Sequence, residues 1–117
     1  MNTDDSIAAL HGRRLDQWLW FARLAKSRSL AARLCAAGAV TLNGAAIRKP
    51  NRLVHIGDAV AAPQGAWQRT VRVLALGARR GPPAEARLLY EEAATPVPRA
   101  TRAAAWEPLL ADGDGEN

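Results

Sequence analysis

Cysteine is nearly absent from this sequence, and long apolar runs are absent altogether. The single cysteine, Cys35, excludes an internal disulfide and is typical of a protein in a reducing compartment. No apolar run approaches the roughly 20 residues that a membrane-spanning helix needs. Near the N-terminus, the acidic Asp4 and Asp5 stand where a secretory signal peptide carries cations. These features predict a cytoplasmic protein that does not enter a membrane.

Histidine is also scarce, and no familiar catalytic or metal-binding pattern is present. His11 and His55 are the two histidines, and neither has zinc-ligand spacing to the other or to Cys35. The sequence has no glycine-rich phosphate loop, no Gly-x-Ser-x-Gly and no His-Glu-x-x-His. Asp16 and Asp58 are isolated acids, which we interpret as an ion-pair partner and a turn former. The chain is therefore predicted to be a binding module and not an enzyme, with no cofactor and no metal.

Acidic residues are scarce in one part of the chain and concentrated in another. Residues 13–52 contain nine Arg or Lys and one acid, a balance of +8, within a whole-chain net charge of +5. Residues 81–117 contain three Arg and seven acids, a balance of −4. A basic segment of this kind attracts nucleic acid or an anionic membrane, or is only a solvated surface. Its coincidence with a regular helical pattern favours nucleic acid.

Two helices are predicted from apolar residues spaced at i, i+3, i+4 and i+7. The first runs from residue 13 or 14 to Leu24, and the second is capped by Ser27 and ends near Gly38. The apolar positions are Leu15, Trp18, Leu19, Ala22 and Ala25 in the first helix, and Leu30, Ala31, Leu34 and Ala37 in the second.

Short strands are predicted to follow the helices, at residues 39–43, 45–47, 53–56, 59–62 and 70–76. Asn43-Gly44 is a strong tight-turn signal because both residues tolerate positive φ. In the last strand, Val71 and Val73 should lie on one face and Arg72 on the other. The segment 83–90 is compatible with either a helical turn or an extended chain. The predicted fold class is α+β, with two N-terminal helices packed on a small antiparallel sheet of four to five short strands.

The start of the second helix is a candidate phosphate site. Its unpaired backbone N–H groups, the Ser27 hydroxyl, and the side chains of Lys26 and Arg28 would meet there. The alternative is that Ser27 only caps the helix, and the two roles are compatible. Arg48, Lys49 and Arg52 either extend the basic surface or form a solvated loop.

Two tryptophans of the first helix point in different directions. Trp18 lies with the apolar residues and is predicted to be part of the core. Trp20 projects beside Arg23, where it could stack on a base or cover a neighbouring loop, and packing is the preferred interpretation.

Several motifs resemble the S4 RNA-binding domain over residues 13–62. They are Arg14-Leu15-Asp16, Lys26-Ser27-Arg28, Gly38-x-Val40-x-Leu42-Asn43-Gly44 and Gly57-Asp58. The resemblance implies an S4-like fold with an αL motif, in which the two helices and the adjoining strand form the RNA-binding face. Carried onto this sequence, it points to Arg14, Arg23, Lys26, Ser27, Arg28, Arg33, Asn43 and Lys49. The charge pattern and the turn add Arg13, Gly44, Arg48 and Arg52 to the predicted site.

Over residues 13 to about 98, the sequence also resembles the ribosome-associated heat shock protein 15 family. Its motifs here are Arg69-Thr70-Val71, Arg79-Arg80 and Leu88-Leu89-Tyr90-Glu91-Glu92. It implies a protein that binds ribosomal RNA on dissociated large (50S) subunits carrying peptidyl-tRNA, and that assists their rescue under heat stress. The protein is predicted to be a monomer. The sequence departs from the family in having Gln17 in place of a typical lysine. It also has a short acidic tail in place of a long basic extension.

On this basis, residues 1–12 are predicted to be a flexible lead-in and 13–62 the S4-type core. Residues 63–98 would continue the same domain with further strands, and 99–117 would be a tail. Two other functions stay open. One is an S4 accessory module for a pseudouridine synthase or RNA methyltransferase acting in trans. The other is a general nucleic-acid binder that also binds DNA, because phosphate contacts do not distinguish RNA from DNA.

Overall fold

The computed structural model describes residues 12–98, so the predicted tail and all but Gly12 of the predicted lead-in lie outside the described residues. The helices are α1 (Leu15–Phe21), α2 (Arg28–Ala36) and α3 (Pro83–Ala86), with a 3₁₀ turn at Arg87–Leu89. The strands are β1 (Arg13–Arg14), β2 (Thr41–Leu42), β3 (Ala45–Ala46), β4 (Leu53–Val54), β5 (Ala59–Gln64), β6 (Trp67–Val73), β7 (Tyr90–Glu92) and β8 (Val97–Pro98). This arrangement confirms the α+β class.

Helix α1 is shorter than predicted at both ends. Arg13 and Arg14 form strand β1 and not the first helical turn, because they pair with Val54 and Leu53. At the other end, the backbone reverses at Arg23, which has a φ of +60°. The N–H groups of Arg23 and Leu24 donate to the carbonyls of Trp20 and Leu19, at 3.1 and 2.9 Å. These two bonds form a Schellman motif, which ends the helix despite the continuing apolar period.

Helix α2 follows its predicted caps. The Ser27 hydroxyl accepts a hydrogen bond from the Leu30 N–H at 3.0 Å, which confirms Ser27 as the N-cap. At the C-terminus, Gly38 has a φ of +78°, and the next N–H, that of Ala39, donates to the Leu34 carbonyl at 3.0 Å. Glycine adopts this left-handed conformation without steric cost, so the helix ends where the sequence predicts.

The main sheet is antiparallel and has six strands, one more than the upper predicted number. Its order is β3-β2-β5-β6-β7, with β8 paired to β6, while β1 and β4 form a separate two-stranded ladder. Strands β2 and β3 form the predicted hairpin, in which Asn43 and Gly44 have φ values of +52° and +88°. Two strands, β7 and β8, are added by residues 90–98, which lack a period-2 pattern, while the strand predicted at 53–56 forms β4 outside this sheet.

The core lies between the helices and one face of the sheet. Trp18 is fully buried, and its indole N–H donates to the Ala75 carbonyl at 2.9 Å, as a buried tryptophan requires. Val71 and Val73 are buried while Arg72 is exposed, which confirms the predicted alternation along β6. The helices contribute Leu15, Leu19, Leu30 and Leu34 to the same cluster.

The ambiguous segment 83–90 begins as a helix. Pro83 occupies the first turn of α3, where its missing N–H costs nothing, and Ala86 packs inward. The 3₁₀ turn then delivers Leu89 to the core before β7. None of the helices within residues 12–98 is long and apolar enough to cross a membrane.

Candidate nucleic-acid interface

A groove with a volume of about 700 Å³ lies between the β2–β3 hairpin and the loop at residues 47–53. Three of the predicted cations, Arg48, Lys49 and Arg52, line this groove, and all three are exposed. We call it the basic groove, and its lining is Leu42, Asn43, Ala45, Ala46, Ile47, Arg48, Lys49, Asn51, Arg52, Leu53, His55 and Asp58. The structure therefore brings together residues that the sequence only placed near one turn.

Hydrogen bonds of the Asn43 side chain fix one wall of the basic groove. Its Oδ1 accepts from the Ala59 N–H at 2.9 Å, and its Nδ2 donates to Asp58 Oδ1 at 3.2 Å. The other oxygen of Asp58 accepts from the His55 N–H at 2.8 Å, which gives Asp58 the turn-forming role predicted from the sequence. Asn43 thus holds the hairpin against the following turn, and its contribution to a binding surface is mainly to position that hairpin.

Backbone hydrogen bonds anchor the cationic loop to α1 and to the strand region. The Leu15 N–H donates to the Arg52 carbonyl at 2.8 Å, and the Asp16 N–H donates to the Pro50 carbonyl at 3.2 Å. At the start of the loop, the Ile47 N–H donates to the Val40 carbonyl at 3.1 Å. The bonds of Leu15 and Asp16 satisfy N–H groups at the beginning of α1, where a helix lacks internal partners. The cations of the loop are consequently presented on an anchored backbone.

Arg48 lies against the C-terminal end of α2. Its guanidinium occupies the space beside Gly38, where an added Cβ would come within 3.0 Å of Arg48 Cζ. A cation is favoured there because the carbonyl end of a helix carries partial negative charge. Gly38 is therefore favoured for its positive φ, and it also leaves room for the Arg48 guanidinium.

Arg13 and Arg14 use much of their bonding capacity within the protein. Arg14 binds the buried Asp16 through two hydrogen bonds, Nε to Oδ1 at 3.1 Å and Nη2 to Oδ2 at 2.9 Å. That hydrogen-bonded ion pair raises the pKa of Arg14 above its usual value. Arg13 lies over the Phe21 ring at 5.3 Å and donates to Gln17 at 3.1 Å. Asp16 is thus an ion-pair partner, as its isolation in the sequence predicted.

The remaining predicted residues do not line the basic groove: Gly44 lies in the β2–β3 turn, and the others lie on α2, at its N-cap, or between α1 and α2. Arg23 and Lys26 border a small cleft of about 60 Å³, which Gln64 and Gly65 close from the β5–β6 turn. Arg28 and Arg33 are exposed on α2. The predicted site therefore divides between the basic groove, the hairpin turn, strand β1 and the region of the two helices.

The structure adds residues to the basic groove that the sequence did not assign to it. Asn51 and His55 line the groove beside the three cations. His55 Nδ1 lies 3.7 Å from Asp58 Oδ2. Asn51 could have been assigned to the site from the sequence, because it lies between Lys49 and Arg52. His55 could not, because its position depends on the β1–β4 pairing.

Metal and thiol chemistry have little support in the part of the chain that is described. No group of three or more His, Cys, Asp or Glu among residues 12–98 could hold a metal ion. Cys35 is fully buried in the core, as predicted, and burial, with a smaller effect from the Asp16 charge, raises the pKa of its thiol to about 12. A thiol with that pKa stays protonated and is a poor nucleophile at neutral pH.

Comparisons with known proteins agree with this architecture. The family described as "S4 domain" matches residues 13–60. Heat shock protein 15 of Escherichia coli K12 is 44% identical over 84 residues, which cover 72% of this chain and 62% of that protein. A Haemophilus influenzae homolog is 39% identical over 85 residues, covering 72% and 63%. The chain thus spans less than two thirds of the length of these relatives.

A solved structure gives the same relationship in three dimensions. Heat shock protein 15 of Vibrio cholerae, in a structure described as trimeric, superposes with a TM-score of 0.66 at 40% identity. The match covers 69% of this chain and 81% of that one.

Proposed function

This chain belongs to the heat shock protein 15 family, and from that membership together with the basic groove we propose that it is a non-enzymatic, cytoplasmic RNA-binding protein. Its partner would be ribosomal RNA on dissociated large (50S) subunits that still carry peptidyl-tRNA. Its action would be to assist the rescue or recycling of those subunits during heat stress. The family supports the class of partner, and the groove supports the mode of binding.

The observation that carries this proposal is the convergence of Arg48, Lys49 and Arg52 on one concave surface. None of the three forms an ion pair with a carboxylate of residues 12–98. A volume of about 700 Å³ lies within the ~300–1,000 Å³ of typical ligand sites, so a nucleotide-sized group fits. Cations that pair with no carboxylate among the described residues and line a groove are suited to the phosphates of a nucleic-acid backbone.

RNA shape would supply the selectivity that charge cannot. Intact ribosomes and free large subunits both expose abundant phosphate, so electrostatic attraction alone does not distinguish them. An RNA surface covered at the subunit interface becomes accessible to a small basic domain only after the subunits part. The groove lies between a hairpin and a loop that is hydrogen-bonded to α1, and such a shaped surface can recognise the shape of a folded RNA.

Sedimentation of ribosomal particles tests this proposal. Purified protein is mixed with intact ribosomes, empty large subunits, or large subunits carrying peptidyl-tRNA, and each mixture is resolved on a sucrose gradient. We expect comigration with the peptidyl-tRNA-bearing subunits and little with intact ribosomes. Equal occupancy of all three particles would reduce the protein to a non-specific RNA binder.

Two further measurements address the other functions that the sequence leaves open. Competition between structured RNA, single-stranded RNA and duplex DNA should favour structured RNA, whereas equal competition by DNA would identify a general nucleic-acid binder. Affinity capture from cells should recover ribosomal particles. Recovery of a pseudouridine synthase or methyltransferase in stoichiometric amount would instead support the accessory-module function.

We propose that the protein binds RNA as a monomer, with the basic groove as its binding surface. Light scattering should then give the mass of a monomer, both free and with one RNA. The V. cholerae relative is described as trimeric, and a trimeric mass for this protein would contradict the monomer proposal.

A further inference from the structure

Two arginines far apart in sequence lie near each other at the end of α1, where hydrogen bonds connect their segments. Arg23 follows the helix, and its Nε donates to the Gly81 carbonyl at 2.8 Å. Arg80 comes from the segment after β6, and its Nε donates to the Trp20 carbonyl at 3.1 Å. Each arginine is therefore held by a backbone carbonyl of the other's segment. Because both anchors use Nε, the Nη groups that form the end of each guanidinium remain available for a ligand.

The two positive charges are held close together without a compensating carboxylate. The pKa of Arg80 is lowered, first by burial and then by the charge of Arg23. No carboxylate within residues 12–98 forms an ion pair with Arg23 or Arg80. The nearby Glu85, which lies against Gly81, pairs with Arg79 at 2.9 Å. An anion bound between two like charges reduces their mutual repulsion, so such a pair attracts an anion.

The backbone conformation of Arg23 and the ring of Trp20 both restrict the orientation of the two arginine side chains. Arg23 has a φ of +60°, a conformation that glycine adopts freely and that costs other residues stability. Arg80 Cζ lies 5.5 Å from the centre of the Trp20 ring, so a cation–π contact helps to orient its guanidinium. Trp20 is partly buried and packs against the core, in agreement with the preferred interpretation of the sequence. The pair is thus preorganised and does not need to be assembled by a ligand.

We propose that Arg23 and Arg80 together form a phosphate clamp for the RNA backbone. Their Nη groups would donate to the oxygens of one phosphodiester, the anion that guanidinium groups bind with the best geometry. The clamp extends the binding surface beyond the S4 domain, since the family match ends at residue 60 and Arg80 lies outside it. This inference rests on the proposed RNA-binding function.

Arginine-to-glutamine variants test the clamp in a fluorescence anisotropy titration with a labelled ribosomal RNA hairpin. Arg23→Gln and Arg80→Gln should each weaken binding about tenfold, the loss expected for a charge-assisted hydrogen bond. Each should also reduce the log–log salt slope by about 0.7–0.9, the value for one phosphate contact. Because both residues serve one phosphate, the double variant should lose little more than either single variant. Thermal unfolding verifies that the variants are folded.

The matched control is Arg87→Gln, which removes one exposed charge from the 3₁₀ turn. Equal effects of Arg80→Gln and Arg87→Gln, on affinity and on salt slope, would overturn the clamp. Lys49→Gln, in the basic groove, separates this failure from failure of the proposed function. If Lys49→Gln weakens binding and Arg80→Gln does not, the clamp is wrong and the RNA-binding proposal stands. If the unmodified protein does not bind the hairpin, the proposed function itself is wrong.

Discussion

Replacing Arg23 by glycine and by alanine measures the strain that the Schellman turn places on the backbone. Both changes remove the same side chain and the same hydrogen bond to Gly81, so their difference reports on the backbone alone. At a φ of +60°, a residue with a Cβ pays roughly 1–2 kcal/mol. Glycine avoids that cost but loses about 0.5–1 kcal/mol more conformational entropy on folding. Taking the middle of each range, Arg23→Gly should therefore be more stable than Arg23→Ala by about 0.75 kcal/mol.

Ala32 is the control position, because it lies within α2, where the same comparison should change sign. There, Ala32→Gly should be less stable than the unmodified protein by about 0.8–1.0 kcal/mol. Urea unfolding at constant m-value measures both differences. A difference of 1 kcal/mol also shifts Tm by about 4–8 °C in a domain of this size. Equal stability of Arg23→Gly and Arg23→Ala would refute the left-handed conformation at residue 23.

Three further outcomes follow from the charge distribution, the core and the buried thiol. If four to six cations of residues 13–52 contact phosphate, the log–log salt slope of RNA binding should be about −3 to −5. A slope near zero in filter-binding titrations would exclude the basic surface as the binding site. Leu34 is 2% exposed, so Leu34→Ala should lower the free energy of unfolding by about 2–4 kcal/mol in urea. Arg28→Ala should change it by no more than about 0.5 kcal/mol. Similar losses in the two variants would contradict the assigned helix faces. Because the pKa of Cys35 rises to about 12 on folding, the unfolded chain ionises first, so the contribution of Cys35 to stability should be constant below about pH 8.5 and should fall as pH rises towards 12. Cys35→Ala should remove that part of the pH dependence, and an unchanged profile would show that another group causes it.

Periodic segments with local caps could be predicted from the sequence. Helix α2 has apolar residues on one face, Ser27 at its N-cap and Gly38 after its end, and each signal acts within the segment itself. The Asn43-Gly44 hairpin is equally local, since both residues must supply positive φ. These elements needed no information about distant parts of the chain.

Elements that depend on a distant partner could not be predicted. Arg13 and Arg14 have no alternation of their own, and they form a strand only because residues 53 and 54 lie beside them. The same limit applies to the candidate site. The charge pattern indicated Arg48, Lys49 and Arg52, but the groove around them depends on the Asn43–Asp58 hydrogen bond. Nor could the sequence place Arg80 beside Arg23, because its anchor is a backbone carbonyl sixty residues away.

Two double variants, each lacking two positive charges, test whether the basic groove is the RNA-binding site. Lys49→Gln with Arg52→Gln removes two cations from the basic groove, and Arg72→Gln with Arg87→Gln removes two exposed cations outside it. Titration of the same structured ribosomal RNA at several salt concentrations gives the affinity and the salt slope of each. We predict that the groove variant loses affinity and that its slope falls by about 1.4–1.8, while the control changes little. Equal losses in the two variants would contradict a binding site in the groove.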